Sequence, residues 1–67
     1  MKIKAKDSFK EIRIKQGFSL TALAEEMNVS TSVVFNIKSH KNVRPATARK
    51  ACAALNEAFE TLFTIEN

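Results

Sequence analysis

The stretch SLTALAEEMNVSTSVVFNIK, residues 19–38, decides the fold of this 67-residue chain. Its apolar residues recur at helical spacing in two groups that a few polar residues separate. These positions are Leu23, Ala24, Met27, Val34 and Ile37. Ala24 is small, as a steep crossing of two helices over a short turn requires, because a larger side chain would not fit there. The stretch therefore predicts two short helices joined by a tight turn.

Polar residues mark the ends of these two helices. Ser19 and Ser30 each precede a helix, where a hydroxyl can accept a hydrogen bond from a free backbone amide. Asn28 lies at the turn, and asparagine tolerates a positive φ better than any residue except glycine. The first predicted helix therefore follows its cap Ser19 and ends near Met27, and the second spans about residues 31–39.

The flanking sequence predicts further helices. Ser8 and Glu11 have the spacing of a capping box, which opens a helix over residues 8–16, and Gly17 suits a left-handed C-cap. Another helix is expected over residues 45–55, with its proline in the first turn. One glycine and one proline leave little room for the turns of a sheet. The expected fold is all-α, with five helices.

Length and composition agree with one small domain over residues 1–67. The single cysteine, Cys52, has no partner for an internal disulfide bond, and its apolar setting favours a core position over a redox or metal-binding role. The sequence lacks an apolar run long enough for a signal peptide or a membrane span. The expected location is the cytoplasm, with no contact to a membrane.

Charge is distributed unevenly around the net value of +4. Residues 38–50 carry five basic side chains and no acid, whereas residues 51–67 carry three glutamates and no base. A basic segment directly after the second helix of the motif suits contact with nucleic-acid phosphates. The alternative is a basic face that is merely solvated, as many charged runs are.

With these residues in view, the chain resembles the Cro and CI type of helix-turn-helix, the lambda-repressor-like family of phage and bacterial regulators. The resemblance rests on Ser19, Leu23, Ala24, Val29, Ser30, Val34 and Ile37. A basic loop, KNVRP at residues 41–45, follows the motif, and the match covers about residues 8–56. The resemblance implies a transcription regulator of a lysis/lysogeny-like switch in the host cytoplasm. Such a pattern specifies the fold strongly and the DNA site hardly at all.

The resemblance also implies which residues would meet double-stranded DNA. In this family the second helix of the motif lies in the major groove and reads base edges. On this chain the base-reading positions are Thr31, Ser32 and Asn36, and the phosphate-contacting positions are Lys38, Lys41, Asn42 and Arg44. A homodimer would read a pseudo-palindrome. The alternative is that these polar residues are simply tolerated on a solvated helix.

Three residues depart from the family pattern on this surface. Leu20 stands where the family commonly has a glutamine, and Val33 and Phe35 stand on a helix face that is usually polar. An apolar cluster there is of little use against phosphates and suits a protein partner. The alternative function is that of a modulator of repression, which joins the DNA-binding domain of a repressor. In this respect the chain resembles the modulators of lactococcal temperate phages.

The two ends of the chain leave alternatives open. Residues 1–7 alternate basic residues with small or apolar ones and predict a flexible basic arm. This arm either reaches along DNA or is a disordered tail, and the tail is favoured here. Residues 56–67 predict a short fifth helix capped by Asn56, or a tail. Its large apolar residues would close the core or form a dimer surface. They are Phe59, Leu62 and Phe63.

No pattern in the chain indicates an enzyme or a cofactor site. His40 is the only histidine, and there is no glycine-rich phosphate loop, no nucleophile with a base nearby and no second ligand at metal spacing. Glu25 and Glu26 are adjacent and point apart around a helix. The expectation is a binding protein without catalytic residues, cofactors or metal.

Overall fold

The computed structural model describes all residues from Met1 to Asn67. Five helices and two short strands follow one another along the chain. They are β1 (Lys2–Ala5), α1 (Asp7–Lys15), α2 (Leu20–Met27), α3 (Thr31–Lys38), α4 (Pro45–Leu55), α5 (Phe59–Leu62) and β2 (Phe63–Glu66). The five predicted helices are present, but the all-α prediction is wrong because the ends of the chain form a small sheet.

This sheet pairs β1 with β2 in antiparallel orientation, with Ile3 opposite Ile65 and Ala5 opposite Phe63. Opposite residues share a face, so these four side chains lie on one side of the sheet. Ile3 and Ala5 are buried. The prediction of a flexible arm is therefore wrong for residues 2–5. Their alternating pattern is that of a half-buried strand whose partner lies at the other end of the sequence.

The core contains fourteen buried apolar residues from every helix and both strands. They are Ile3, Ala5, Phe9, Leu23, Ala24, Met27, Val34, Ile37, Val43, Ala48, Ala51, Leu55, Leu62 and Phe63. Phe63 joins two neighbouring rings, with its centroid 6.1 Å from that of Phe9 and 5.5 Å from that of Phe59. Leu62 and Phe63 thus close the core, as the sequence allowed. One charged residue is buried as well: Arg13 donates through Nη1 to the Phe18 carbonyl oxygen at 2.7 Å.

Four helices end in the same way, with a left-handed residue just after the last turn. After α2, for example, the amide of Val29 donates to the carbonyl of Ala24 at 3.0 Å across Asn28, whose φ is 58°. This is the Schellman arrangement, which satisfies carbonyls that a helix end would leave free. The left-handed residues are Gly17, Asn28, His40 and Asn56. The predictions for Gly17 and Asn28 are confirmed, whereas Asn56 ends α4 and does not cap α5.

The helix starts differ more from the sequence predictions. Ser19 caps α2, since its Oγ accepts from the Ala22 amide at 3.0 Å. Ser30 precedes α3 in extended conformation, but its side chain makes no capping bond. The predicted capping box of α1 is wrong, because the helix begins at Asp7 and the Ser8 hydroxyl donates to the Thr61 carbonyl across the domain. Ser8 therefore lies inside the first turn and not at the capping position.

Candidate nucleic-acid interface

The outward face of α3 is the surface on which the predicted base-reading residues come together. Val34 and Ile37 are buried and fix the rotation of the helix against the core. At about 100° per residue, the opposite side then carries positions 32, 35 and 36. Thr31, Ser32 and Asn36 are all exposed. The structure therefore places Ser32 and Asn36 on the outward face of α3, and Thr31 is exposed at the first residue of the same helix.

Phe35 lies on this same face, and 47% of it is exposed. The Lys38 Nζ lies 5.3 Å from the centroid of its ring, in the position of a cation–π contact. Leu20 and Val33, the other predicted partner-binding residues, are half-buried and pack against the core. Phe35 is thus the one large apolar side chain of this trio that projects into solvent.

A shallow cleft of about 350 Å³ separates α3 from the start of α4. Val33 and Val43 form part of its apolar floor, while Asn36 and Arg44 lie at its rim. A predicted base-reading residue and a predicted phosphate-contacting residue therefore line the same depression. No acidic residue lines it.

The other flank of α3 has a different charge balance. Lys38 and His40 line an open polar pocket of about 470 Å³ together with Asp7 and Glu11. The His40 Nε2 lies 3.5 Å from an Asp7 carboxylate oxygen. Lys6 and Lys10 line this pocket as well, so its lysines outnumber its acids and the acids only partly neutralise this side of α3.

The basic loop after α3 is fastened to β1 by three hydrogen bonds. The His40 Nδ1 donates to the Ala5 carbonyl oxygen at 2.8 Å, so the proton of that nitrogen is fixed by its acceptor. Asn42 Oδ1 accepts from the Ile3 amide at 3.1 Å, and the Val43 amide donates to the Ile3 carbonyl at 2.8 Å. The segment that carries Lys41 and Arg44 is therefore positioned by the N-terminal strand.

This attachment changes the role of two residues. The Oδ1 of Asn42 accepts from the Ile3 amide, which orients the side chain and leaves its amide nitrogen, the only donor of the group, free to donate to a phosphate. His40 follows the last turn of α3 at a φ of 61° and ties the loop to β1. The sequence held a signal for His40 in the tolerance of histidine for positive φ. The sequence contained no signal that Ile3 would form hydrogen bonds with the loop.

The remaining titratable group of note lies away from this surface. Burial raises the pKa of the Cys52 thiol, and the negative charge of Glu60 raises it further. The thiol therefore carries its proton at neutral pH, as a structural cysteine does. No group of three or more His, Cys, Asp or Glu side chains is arranged to hold a metal ion. No helix is long and apolar enough to cross a membrane.

A family model described as helix-turn-helix matches residues 9–62, which is most of the chain. The chain belongs to the Cro/CI-type helix-turn-helix family. The family is one of DNA-binding transcription regulators, and its members are typically not enzymes. The match extends past the predicted end at residue 56 and includes α5. Among curated proteins, none matches the chain at a significant level.

Proposed function

We propose that this helix-turn-helix protein regulates a lysis/lysogeny-like genetic switch of a bacteriophage in the cytoplasm of the host. It acts at operator DNA, together with or against a repressor protein. The observation that carries this proposal is the outward face of α3, where Thr31, Ser32 and Asn36 are exposed beside basic side chains. Short polar side chains on a helix of this size fit the major groove of B-DNA.

In the DNA-binding mechanism, each part of the surface has a separate task. Asn36 forms a paired hydrogen bond with adenine, and Thr31 and Ser32 donate to or accept from base edges. Lys38, Lys41, Arg44 and the free amide group of Asn42 hold phosphates, which sets orientation without reading sequence. A homodimer then places one α3 in each of two half-sites about 34 Å apart.

A second function is favoured by one observation, the exposure of Phe35 in the middle of the same face. A half-exposed phenylalanine gains little against phosphates, but aromatic side chains are frequent anchors of protein interfaces. In this mechanism the domain binds the DNA-binding domain of a repressor and acts as a modulator of repression. Val33 and Leu20 supply smaller apolar contacts, because both are half-buried.

The first experiment measures the affinity of the protein for its own upstream intergenic DNA across a salt series, with and without the neighbouring repressor. A DNA-reading regulator is expected to bind alone, and log affinity should fall by about 0.9 per phosphate contact for each tenfold rise in salt. Weak binding without sequence preference, combined with altered binding of the repressor, identifies a modulator. If the protein neither bound the DNA with sequence preference nor altered the binding of the repressor, both functions would be contradicted.

Two single substitutions on the same face separate the mechanisms. Phe35→Ser should leave DNA affinity unchanged or improved, but it should cost about 2 kcal/mol or more of partner binding if Phe35 is an anchor. Asn36→Ala should cost about 1–3 kcal/mol of discrimination at one base pair of an operator. Because both residues are exposed, neither change should unfold the domain, which circular dichroism verifies.

A further inference from the structure

His40 is the side chain near the proposed DNA surface whose charge changes around neutral pH. It is the only histidine of the chain, and an imidazole takes up or releases a proton between about pH 5 and 8. It lies between Lys38, the last residue of α3, and Lys41, and both lysines are predicted to contact phosphates. Its side chain is 51% exposed, so the ring exchanges protons with solvent.

Both ring nitrogens of His40 face oxygen atoms. Nδ1 donates to the Ala5 carbonyl oxygen at 2.8 Å, and Nε2 lies 3.5 Å from a carboxylate oxygen of Asp7. When the ring is neutral with its proton on Nδ1, Nε2 turns a lone pair toward the negative carboxylate. The doubly protonated ring instead presents an N–H to each oxygen. The geometry therefore accommodates the imidazolium form, with an acceptor for each of its two protons.

The charged side chains around the ring oppose one another. The polar pocket that His40 lines contains three lysines and two acids, which are Lys6, Lys10, Lys38, Asp7 and Glu11. Lys41 follows His40 directly, while β1 contributes the Ala5 carbonyl and its Lys4 pairs with Glu66 at 3.3 Å. The lysines repel an added positive charge on the ring, and the acids attract it. Phosphates bound to Lys38 and Lys41 would offset part of the repulsion.

We propose that DNA binding takes up a proton at His40, and that the imidazolium holds the basic loop against β1 and α1 in its phosphate-contacting arrangement. His40 is thus a positioning residue that makes DNA binding sensitive to pH. The inference rests on the proposed function, because the phosphates that favour the proton are those of the operator. It adds a form of regulation to that surface.

The direction of the effect follows from linkage. If bound DNA favours the protonated ring, the protonated ring must favour DNA by the same factor. DNA affinity should therefore rise as the pH falls through the range in which imidazole titrates, and it should level off on either side of that range. Couplings between two sites of a protein commonly amount to about fivefold or more in affinity.

Binding of the upstream intergenic DNA at a series of pH values and constant ionic strength tests the proposal. The unmodified protein is expected to bind at least about fivefold more tightly at the acidic end of the imidazole range than at the basic end. His40→Asn is the matched control, because asparagine tolerates a positive φ and can donate to the Ala5 carbonyl but does not titrate. Any pH dependence that remains in this variant belongs to other groups.

Calorimetry measures the proton itself. The heat of DNA binding in two buffers of different ionisation enthalpy gives the number of protons that each bound chain takes up. The unmodified protein should take up a clear fraction of one proton near neutral pH, and His40→Asn should take up almost none. Asp7→Asn removes the carboxylate that faces Nε2 and should displace the rise in affinity to lower pH. Circular dichroism and thermal unfolding verify that both variants are folded.

The outcomes separate this inference from the proposed function. Sequence-preferring DNA binding with the same pH dependence in the unmodified protein and in His40→Asn would overturn the role of His40 and leave the DNA-binding function standing. DNA binding without proton uptake by the unmodified protein would do the same. A chain that binds no DNA at any pH would overturn the DNA-binding mechanism together with this inference.

Discussion

The α2–α3 pair and the β1–β2 sheet are built in opposite ways. The helices are contiguous, at residues 20–38, and their caps come from residues beside them, such as Ser19 and Asn28. The sheet joins residues 2–5 to residues 63–66, so its strands meet only when the whole chain has folded. Local pattern is therefore sufficient to specify the helices, whereas the sheet depends on every element between its strands.

The two regions meet at the basic loop. The loop leaves α3 through His40 and is fastened to β1 through the backbone of Ala5 and Ile3. The surface proposed for DNA thus has a helical part that is specified locally and a loop part that the sheet positions. Substitutions that destabilise the sheet should therefore also displace the loop part of the surface proposed for DNA.

The largest expected effect comes from removing the ring that anchors the sheet in the core. Phe63→Ala should lower the free energy of unfolding by about 3–5 kcal/mol, because Phe63 is buried between Phe9 and Phe59. Urea denaturation followed by circular dichroism measures this. Phe35→Ala is the matched control and should cost about 1 kcal/mol or less, since Phe35 is half-exposed. If Phe63→Ala lowered the free energy of unfolding as little as Phe35→Ala does, the sheet would not be part of one common core.

A smaller effect is expected at the start of the local unit. Ser19→Ala removes the hydroxyl that accepts from the Ala22 amide and should lower the free energy of unfolding by about 1 kcal/mol. Ser30→Ala should change it by less than about 0.5 kcal/mol, because the Ser30 side chain makes no capping bond. Thermal unfolding of the two variants gives the difference. The reverse order would mean that α3, and not α2, depends on its serine cap.

A stability effect about as small as that of Ser19→Ala is expected at the junction of the two regions. Asn42→Ala should cost about 0.5–1.5 kcal/mol and speed hydrogen exchange at the Ile3 amide, which loses its acceptor. Asn42→Asp keeps an acceptor oxygen at that position, so Ile3 should stay protected. The added negative charge should nevertheless weaken DNA binding if the loop faces phosphates. If both variants left Ile3 equally protected, the side-chain link between loop and sheet would be refuted.

Several features of the fold follow from the sequence alone. Helical spacing predicted the buried positions of α2 and α3, and Asn28 and Gly17 predicted left-handed helix ends. The exposed face of α3 followed from the same spacing, because burying Val34 and Ile37 forces Ser32 and Asn36 outward. These features depend on neighbours within about one helical turn, which a single sequence contains.

Two of the predictions that failed involve partners far away in the sequence. Ser8 makes its bond with Thr61 and does not form a capping box, and residues 2–5 become a strand only because residues 63–66 lie beside them. A spacing rule describes only residues that are near one another in the sequence. In both places a contact with a distant part of the chain determines the structure.

The sequence by itself determined the helix-turn-helix, its inward and outward faces and the basic character of the loop after it. Only the tertiary structure decided that the ends of the chain form a sheet and that this sheet holds the basic loop through Ile3 and His40. The reason is physical. Helical hydrogen bonds and caps close over a few residues, whereas strand pairing requires that the whole intervening chain first be ordered.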